Sequence, residues 1–131
     1  MAVPEHKRGE QKFEILEDML RLAKYTEAVI YNDKHIPKKY RYGIVQDIHH
    51  ETIQALLCVK KANTTPLTQA YAIVRNSFQM EAIEHLEGLM ILIELANSLG
   101  SFNSLAYWTG LTLKSINSIK NWQKSDKQKL K

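Results

Sequence analysis

The 131-residue sequence holds a single cysteine, three prolines and five glycines. With only Cys58 there is no intramolecular disulfide, so the small disulfide-stapled scaffolds are excluded and the fold rests on its own apolar core. So few Gly and Pro residues argue against a loop-rich all-β chain. No uninterrupted apolar run exceeds five residues, as in Leu89–Ile93, far short of the roughly 20 needed to cross a bilayer. Residues 1–12 are polar and charged, without the apolar stretch of a secretory leader. Together with the free thiol, this predicts a cytoplasmic protein. A Gly-rich phosphate loop, a CxxC pair and an HExxH motif are all missing. The reading is therefore a binding protein, not an enzyme, with no cofactor.

What is present is helical periodicity. Ile15, Met19, Leu22, Thr26 and Val29 form the stripe of a first helix, read over about 10–31. Residues 32–37 break it, and Pro37 opens a second helix over about 38–62, striped by Ile44, Ile48, Ala55 and Val59 with Gly43 inside it. Thr65 as N-cap and Pro66 as first residue predict a third helix over 66–99, ended by Gly100. Asn103 or Ser104 then caps a fourth helix over 105–124, striped by Trp108, Thr112, Ile116 and Ile119, with Trp122 capping the core. The basic tail 125–131 is expected to be disordered. Short turns between long helices predict an all-α, up-down-up-down antiparallel four-helix bundle in one domain. Residues 89–93 are apolar on every side of the helix, which calls for a second apolar surface. Met90 and Ile91 point away from the core stripe and are the expected contacts of a homo-oligomer.

The richest set of metal-ligating types is Asp47, His50, Glu81 and His85. Di-metal bundles need a Glu-x-x-His-like motif on two helices. Here Asp47 and His50 stand three apart, but Glu81 and His85 stand four apart. A solvated polar face is the better reading, with no metal. Cys58, set between apolar neighbours, reads as a buried thiol. The net charge of +4 is distributed unevenly. No Lys or Arg lies between Arg75 and Lys114, a stretch that carries Glu81, Glu84, Glu87 and Glu94. From Lys114 onward there are six lysines against one acid, Asp126. A second cluster, Lys34, Lys38, Lys39 and Arg41, is interleaved with Tyr40 and Tyr42. Cations attract phosphate whatever the sequence, and aromatics stack on unpaired bases, so an acidic partner is expected, nucleic acid or protein.

The segment Ile36-Pro37-Lys38-Lys39-Tyr40, leading into a helix that ends in Lys60-Lys61-Ala62-Asn63, resembles the accessory variability determinant (Avd) proteins of diversity-generating retroelements. His85-Leu86-Glu87 through Leu95-Ala96-Asn97-Ser98-Leu99-Gly100 is similar to the four-helix-bundle proteins encoded in intervening sequences of bacterial 23S rRNA genes. The resemblance covers about residues 10–124. It implies a basic four-helix bundle assembled as a homopentamer. That bundle would bind a reverse transcriptase and its template RNA, with DNA as a further ligand, and support mutagenic copying. The family's basic turn corresponds to Lys38, Lys39 and Arg41. Lys60 and Lys61 lie near the family's second-helix end, and Lys114, Lys120 and Lys124 correspond in general character. The intervening-sequence group implies instead a structural or protein–protein role.

Overall fold

The computed structural model describes residues 5–102 and 105–130, with side chains from residue 14 onward. Four helices make the fold: α1 (Glu5–Ile30), α2 (Ile44–Thr64), α3 (Ala72–Leu99) and α4 (Leu105–Lys129). No strand occurs among the described residues. Each helix packs on the next, and α4 returns against α1, closing a ring with its largest interface between α2 and α3.

Cross-helix pairs fix the directions. Trp108, early in α4, donates its indole N–H to Thr26 Oγ1, late in α1, at 3.0 Å. Arg75, early in α3, meets Asp126, late in α4. His85 of α3 bonds Glu51 of α2 at 2.7 Å, while Cys58, further along α2, faces the earlier Glu81 of α3. Neighbouring helices are thus antiparallel. The stripes converge on one core that includes Met19, Leu22, Ile48, Leu86, Ile93 and Ile119, each no more than 1% exposed. Trp108 is the largest fully buried side chain, and its hydrogen bond to Thr26 removes the cost of burying its polar edge.

Three boundaries differ from those expected. Lys38–Tyr40 is a single 3-10 turn, and α2 starts only at Ile44, because Gly43 has a non-helical backbone (φ −117°, ψ −111°). Thr65 does not cap α3. It ends α2, its N–H and its hydroxyl both donating to the Lys61 carbonyl, and residues 66–71 form turns before α3 begins at Ala72. The tail expected to be disordered is ordered helix as far as Lys129. Lys131 and the proposed caps Asn103 and Ser104 lie outside the described residues.

The extension of α4 has a specific cause. Arg75, 2% exposed, donates from Nε to Asp126 Oδ2 at 2.7 Å and from Nη2 to Oδ1 at 3.2 Å. Its Nη1 donates to the Thr65 carbonyl at 2.9 Å, which also holds the α2–α3 loop. Gln79 adds a further bond to Asp126 at 2.9 Å, and Trp122 lies 5.0 Å from the guanidinium carbon. The other end of the bundle closes through His35, whose carbonyl accepts from Ser101 N–H and whose ring stacks on Phe102. A Cβ on Gly100 would come within 2.0 Å of the His35 oxygen, so this passage admits only glycine without a shift.

Removing one partner of a buried ion pair strands the other charge, at a cost of about 3–5 kcal/mol. Asp126→Ala is expected to lower the unfolding free energy by about 3 kcal/mol in urea titration. It should also raise amide exchange selectively in the last turns of α4. Lys127→Ala, one residue on and exposed, is expected to stay within about 0.5 kcal/mol of the parent.

Candidate nucleic-acid interface

The eight cations singled out in the sequence fall into three places. Lys38, Lys39 and Arg41 sit at the α1–α2 end of the bundle, on and just after the 3-10 turn. Lys60 and Lys61 belong to the last turns of α2, at the opposite end, and Lys120 and Lys124 to the last turns of α4 at that same end. At 1.5 Å per helical residue the two ends are roughly 25 Å apart along α2. Lys114 lies between them on the α1–α4 seam and pairs with Asp18 at 3.4 Å.

The turn cluster is partly neutralised from within. Asp33 takes Arg41 Nη2 at 2.8 Å and Lys38 Nζ at 3.7 Å. Lys39 stands over the Tyr40 ring, with Nζ 5.2 Å from its centroid. Tyr42 is 92% exposed, an aromatic face left open to solvent beside these cations. Arg41 therefore serves first as a brace for the turn, its charge balanced by Asp33.

The far end differs. Lys60, Lys61, Lys120 and Lys124 are exposed, and no described carboxylate lies within ion-pair distance of any of them. Lys61 rests 6.0 Å above the Phe78 ring. Lys127 and Lys129 extend the set along α4. The acid of this stretch, Asp126, is turned inward onto Arg75, so its charge is spent on the interior. Glu14 and Glu17 of α1 and Glu81 of α3, which accepts from Cys58, are exposed acids on the neighbouring helices. Trp122, half-buried and packed on the core, lines a small cavity with Ile15, Val59, Lys60 and Asn63 at the base of the bundle, as expected of a core cap.

The proposed oligomer contacts also separate. Met90 is half-buried and packs on the core, while Ile91 is 68% exposed, with Leu95 exposed one turn further along the same face. The four candidate metal ligands do not converge. Asp47 and His50 are exposed near the start of α2, His85 is engaged by Glu51, and Glu81 accepts from Cys58 at 3.7 Å. Among the described residues, no group of three or more potential ligands lies together.

Arg75 and Asp126 form a buried ion pair that the charge pattern concealed. Both are singletons, Asp126 the lone acid of a lysine-rich tail and Arg75 the last cation before an acidic stretch. That mutual oddity is the available signal, since periodicity alone cannot tell an inward charge from an outward one. No protein-family profile, curated protein or solved structure matches this chain.

Burial pushes the Cys58 thiol up from its ordinary value, and the negative charge and hydrogen bond of Glu81 push the same way. At 3% exposure the sulfur is also shielded from reagents. An aromatic disulfide reagent at pH 8 is expected to leave the native thiol unmodified for hours and to titrate one thiol per chain in denaturant. Rapid labelling of the folded protein would mean that α2 and α3 part at this level.

Proposed function

We propose that the chain is a nonenzymatic binding subunit that recognises RNA through the lysines at the α2/α4 end of its bundle. It would act as an accessory protein to a reverse transcriptase, as the Avd-like turn implies. The observation that carries the reading is the unequal disposal of charge. The inward acid Asp126 leaves Lys120, Lys124, Lys127 and Lys129 without a carboxylate partner on their own helix turn, and Lys60 and Lys61 face solvent at the same end. A phosphate backbone supplies the missing negative charge and releases counterions in doing so. Tyr42 and Lys39, at the other end, offer a smaller surface on which a longer RNA gains a second contact.

The test is charge reversal. Changing Lys60, Lys61, Lys120 and Lys124 together to Glu is expected to weaken binding to a labelled, loop-containing RNA at least about tenfold at moderate salt. It should also flatten the dependence of affinity on salt by about one unit per lost phosphate contact. Reversing Lys38 and Lys39 should have a smaller effect. Unchanged affinity and salt slope in the fourfold variant would sink the assignment.

The intervening-sequence reading, a structural or protein–protein role, draws on a different observation. Ile91 and Leu95 present an apolar strip on the outer face of α3. Under either reading this strip is proposed as the contact between copies, the pentamer of the Avd resemblance being one outcome. Sedimentation should give a mass several times that of one chain, and Ile91→Glu should return it to the monomer. A parent protein that sediments as a monomer at micromolar concentration would remove self-association from both readings.

A further inference from the structure

The outer face of α3 carries apolar residues and acids but no cation. Ile73 is 85% exposed at the base of the bundle, and Ile91 is exposed toward the opposite end. They stand 18 residues apart, which is five helical turns, so both lie on one face about 27 Å apart. Met80 is exposed between them on that face. Glu84, Glu87 and Glu94 are exposed along the Ile91 half, and among the described residues none of them lies within ion-pair distance of a cation.

Ile73 stands at the rim of a cleft of about 250 Å³ between the start of α3 and the end of α4. Leu67, Ala72 and Leu130 add to its apolar lining, and Lys127 is its cation. An apolar space of roughly 150 Å³ takes a benzene-sized group, so this one takes an isoleucine side chain. Lys120 and Lys124 continue the positive charge along α4. Each molecule thus holds an apolar knob set among acids and an apolar cleft set among bases. Glu87 follows Asn76 by about three turns and leans to the α4 side as Asn76 does. Lys120 and Lys127 flank Gln123 at three- and four-residue spacing and lean to the α3 side.

We infer that the outer face of α3 packs antiparallel on the same face of a second copy, with Ile91 of each seated at the cleft of the other. Setting Ile91 of one copy at Ile73 of the other also sets Glu87 at Ser77 and Glu84 at Met80. Within one copy, the Asn76–Gln123 and Arg75–Asp126 bonds place Lys124 alongside Ser77 and Lys120 alongside Met80. Glu87 then faces Lys124 of the other copy, and Glu84 faces its Lys120. A parallel pair would set Glu87 on Glu87, like charges facing, and leave both clefts open. A two-fold axis between Met80 and Glu84 makes every contact twice and closes the pair. A foreign partner would match one half of this surface, whereas the chain itself supplies both halves. The pairing rests on the self-association reading above and names its partner surface. Lys120 and Lys124 also belong to the RNA surface, so RNA and the second copy compete for them.

The experiment uses the full chain with Cys58→Ser, so that the only thiols are introduced ones. Ser77→Cys and Glu87→Cys variants are mixed and treated with a short bis-maleimide. The mixture is expected to give at least about tenfold more covalent pair than either variant alone, because like positions lie about 15 Å apart along the two helices. Sedimentation of the parent should give an even number of chains. Glu87→Lys and Lys124→Glu should each weaken pairing by about tenfold or more, and the two together in one chain should restore it. Helical circular dichroism of each variant certifies its fold. No product from the mixture, self-linking of the Ser77→Cys variant, no rescue by the double exchange, or an odd number of chains overturns the pairing and leaves the self-association reading standing. A parent that stays monomeric at micromolar concentration overturns both.

Discussion

A guanidinium and a carboxylate buried together are costly to separate, and the lower half of this bundle is arranged around one such pair. Arg75 and Asp126 come from helices that run in opposite directions and from positions 51 residues apart in the chain. Neither tolerates burial alone, so their meeting requires α4 to remain helical past Trp122 and α3 to begin where Arg75 can reach inward. The same guanidinium holds the Thr65 carbonyl and lies near the Trp122 ring. One side chain thereby sets the loop between α2 and α3, the seating of the core cap and the length of the last helix. Hydrophobic stripes alone do not specify these features, since a stripe tolerates sliding by a turn and a bidentate ion pair does not.

The opposite end is closed by other means. There the chain passes tightly from α3 toward α4, with Gly100 against the His35 carbonyl and Ser101 hydrogen-bonded to it. Asp33 braces the 3-10 turn through Arg41 and Lys38. These ion pairs are partly exposed and contribute little to stability, but they neutralise charge that would otherwise face solvent. The two ends thus treat their cations in opposite ways. At the turn, an exposed acid is shared among surface bases. At the base, the acid goes inside and the lysines stay outside. That contrast moves the weight of the candidate interface from Lys38, Lys39 and Arg41 toward Lys60, Lys61, Lys120 and Lys124.

The helices and their antiparallel order were legible because each carries a stripe at three- and four-residue spacing, and Met19, Ile48, Leu86 and Ile119 duly lie in the core. The start of α3 was not, because Thr65-Pro66 is a sound N-cap and first residue locally, while in the fold Thr65 bonds back to the Lys61 carbonyl and Arg75 holds the Thr65 carbonyl in the loop. The end of α4 was misread for a related reason. A lysine-rich segment looks solvated unless its one acid is known to face inward. Met90 and Ile91 were alike in sequence yet differ in exposure, since the width of a core depends on where the neighbouring helices sit. Of the candidate interface, the residue types could be read from the sequence, but their division between two ends follows only from the packing.

The flanks of the bundle are tied by polar pairs between neighbouring helices. His49 with Glu27 ties α2 to α1, and His85 with Glu51 ties α2 to α3, so the polar side chains along the middle of α2 are occupied by neighbouring helices. Glu51 is held closely, since a Cβ on Gly88 would sit 3.3 Å from its Oε2. Lys114 and Asp18 close the α1–α4 seam in the same manner. Among the described residues, buried polar atoms without a partner are Arg41 Nε at the 3-10 turn, Ser115 Oγ on α4 and Gln79 Oε1 next to the buried ion pair at the base. The interaction that makes this end rigid also orients that carboxamide, because Asp126 can accept only its nitrogen. The buried ion pair and the exposed lysines thus share the last turns of α4, one turned inward and the others outward.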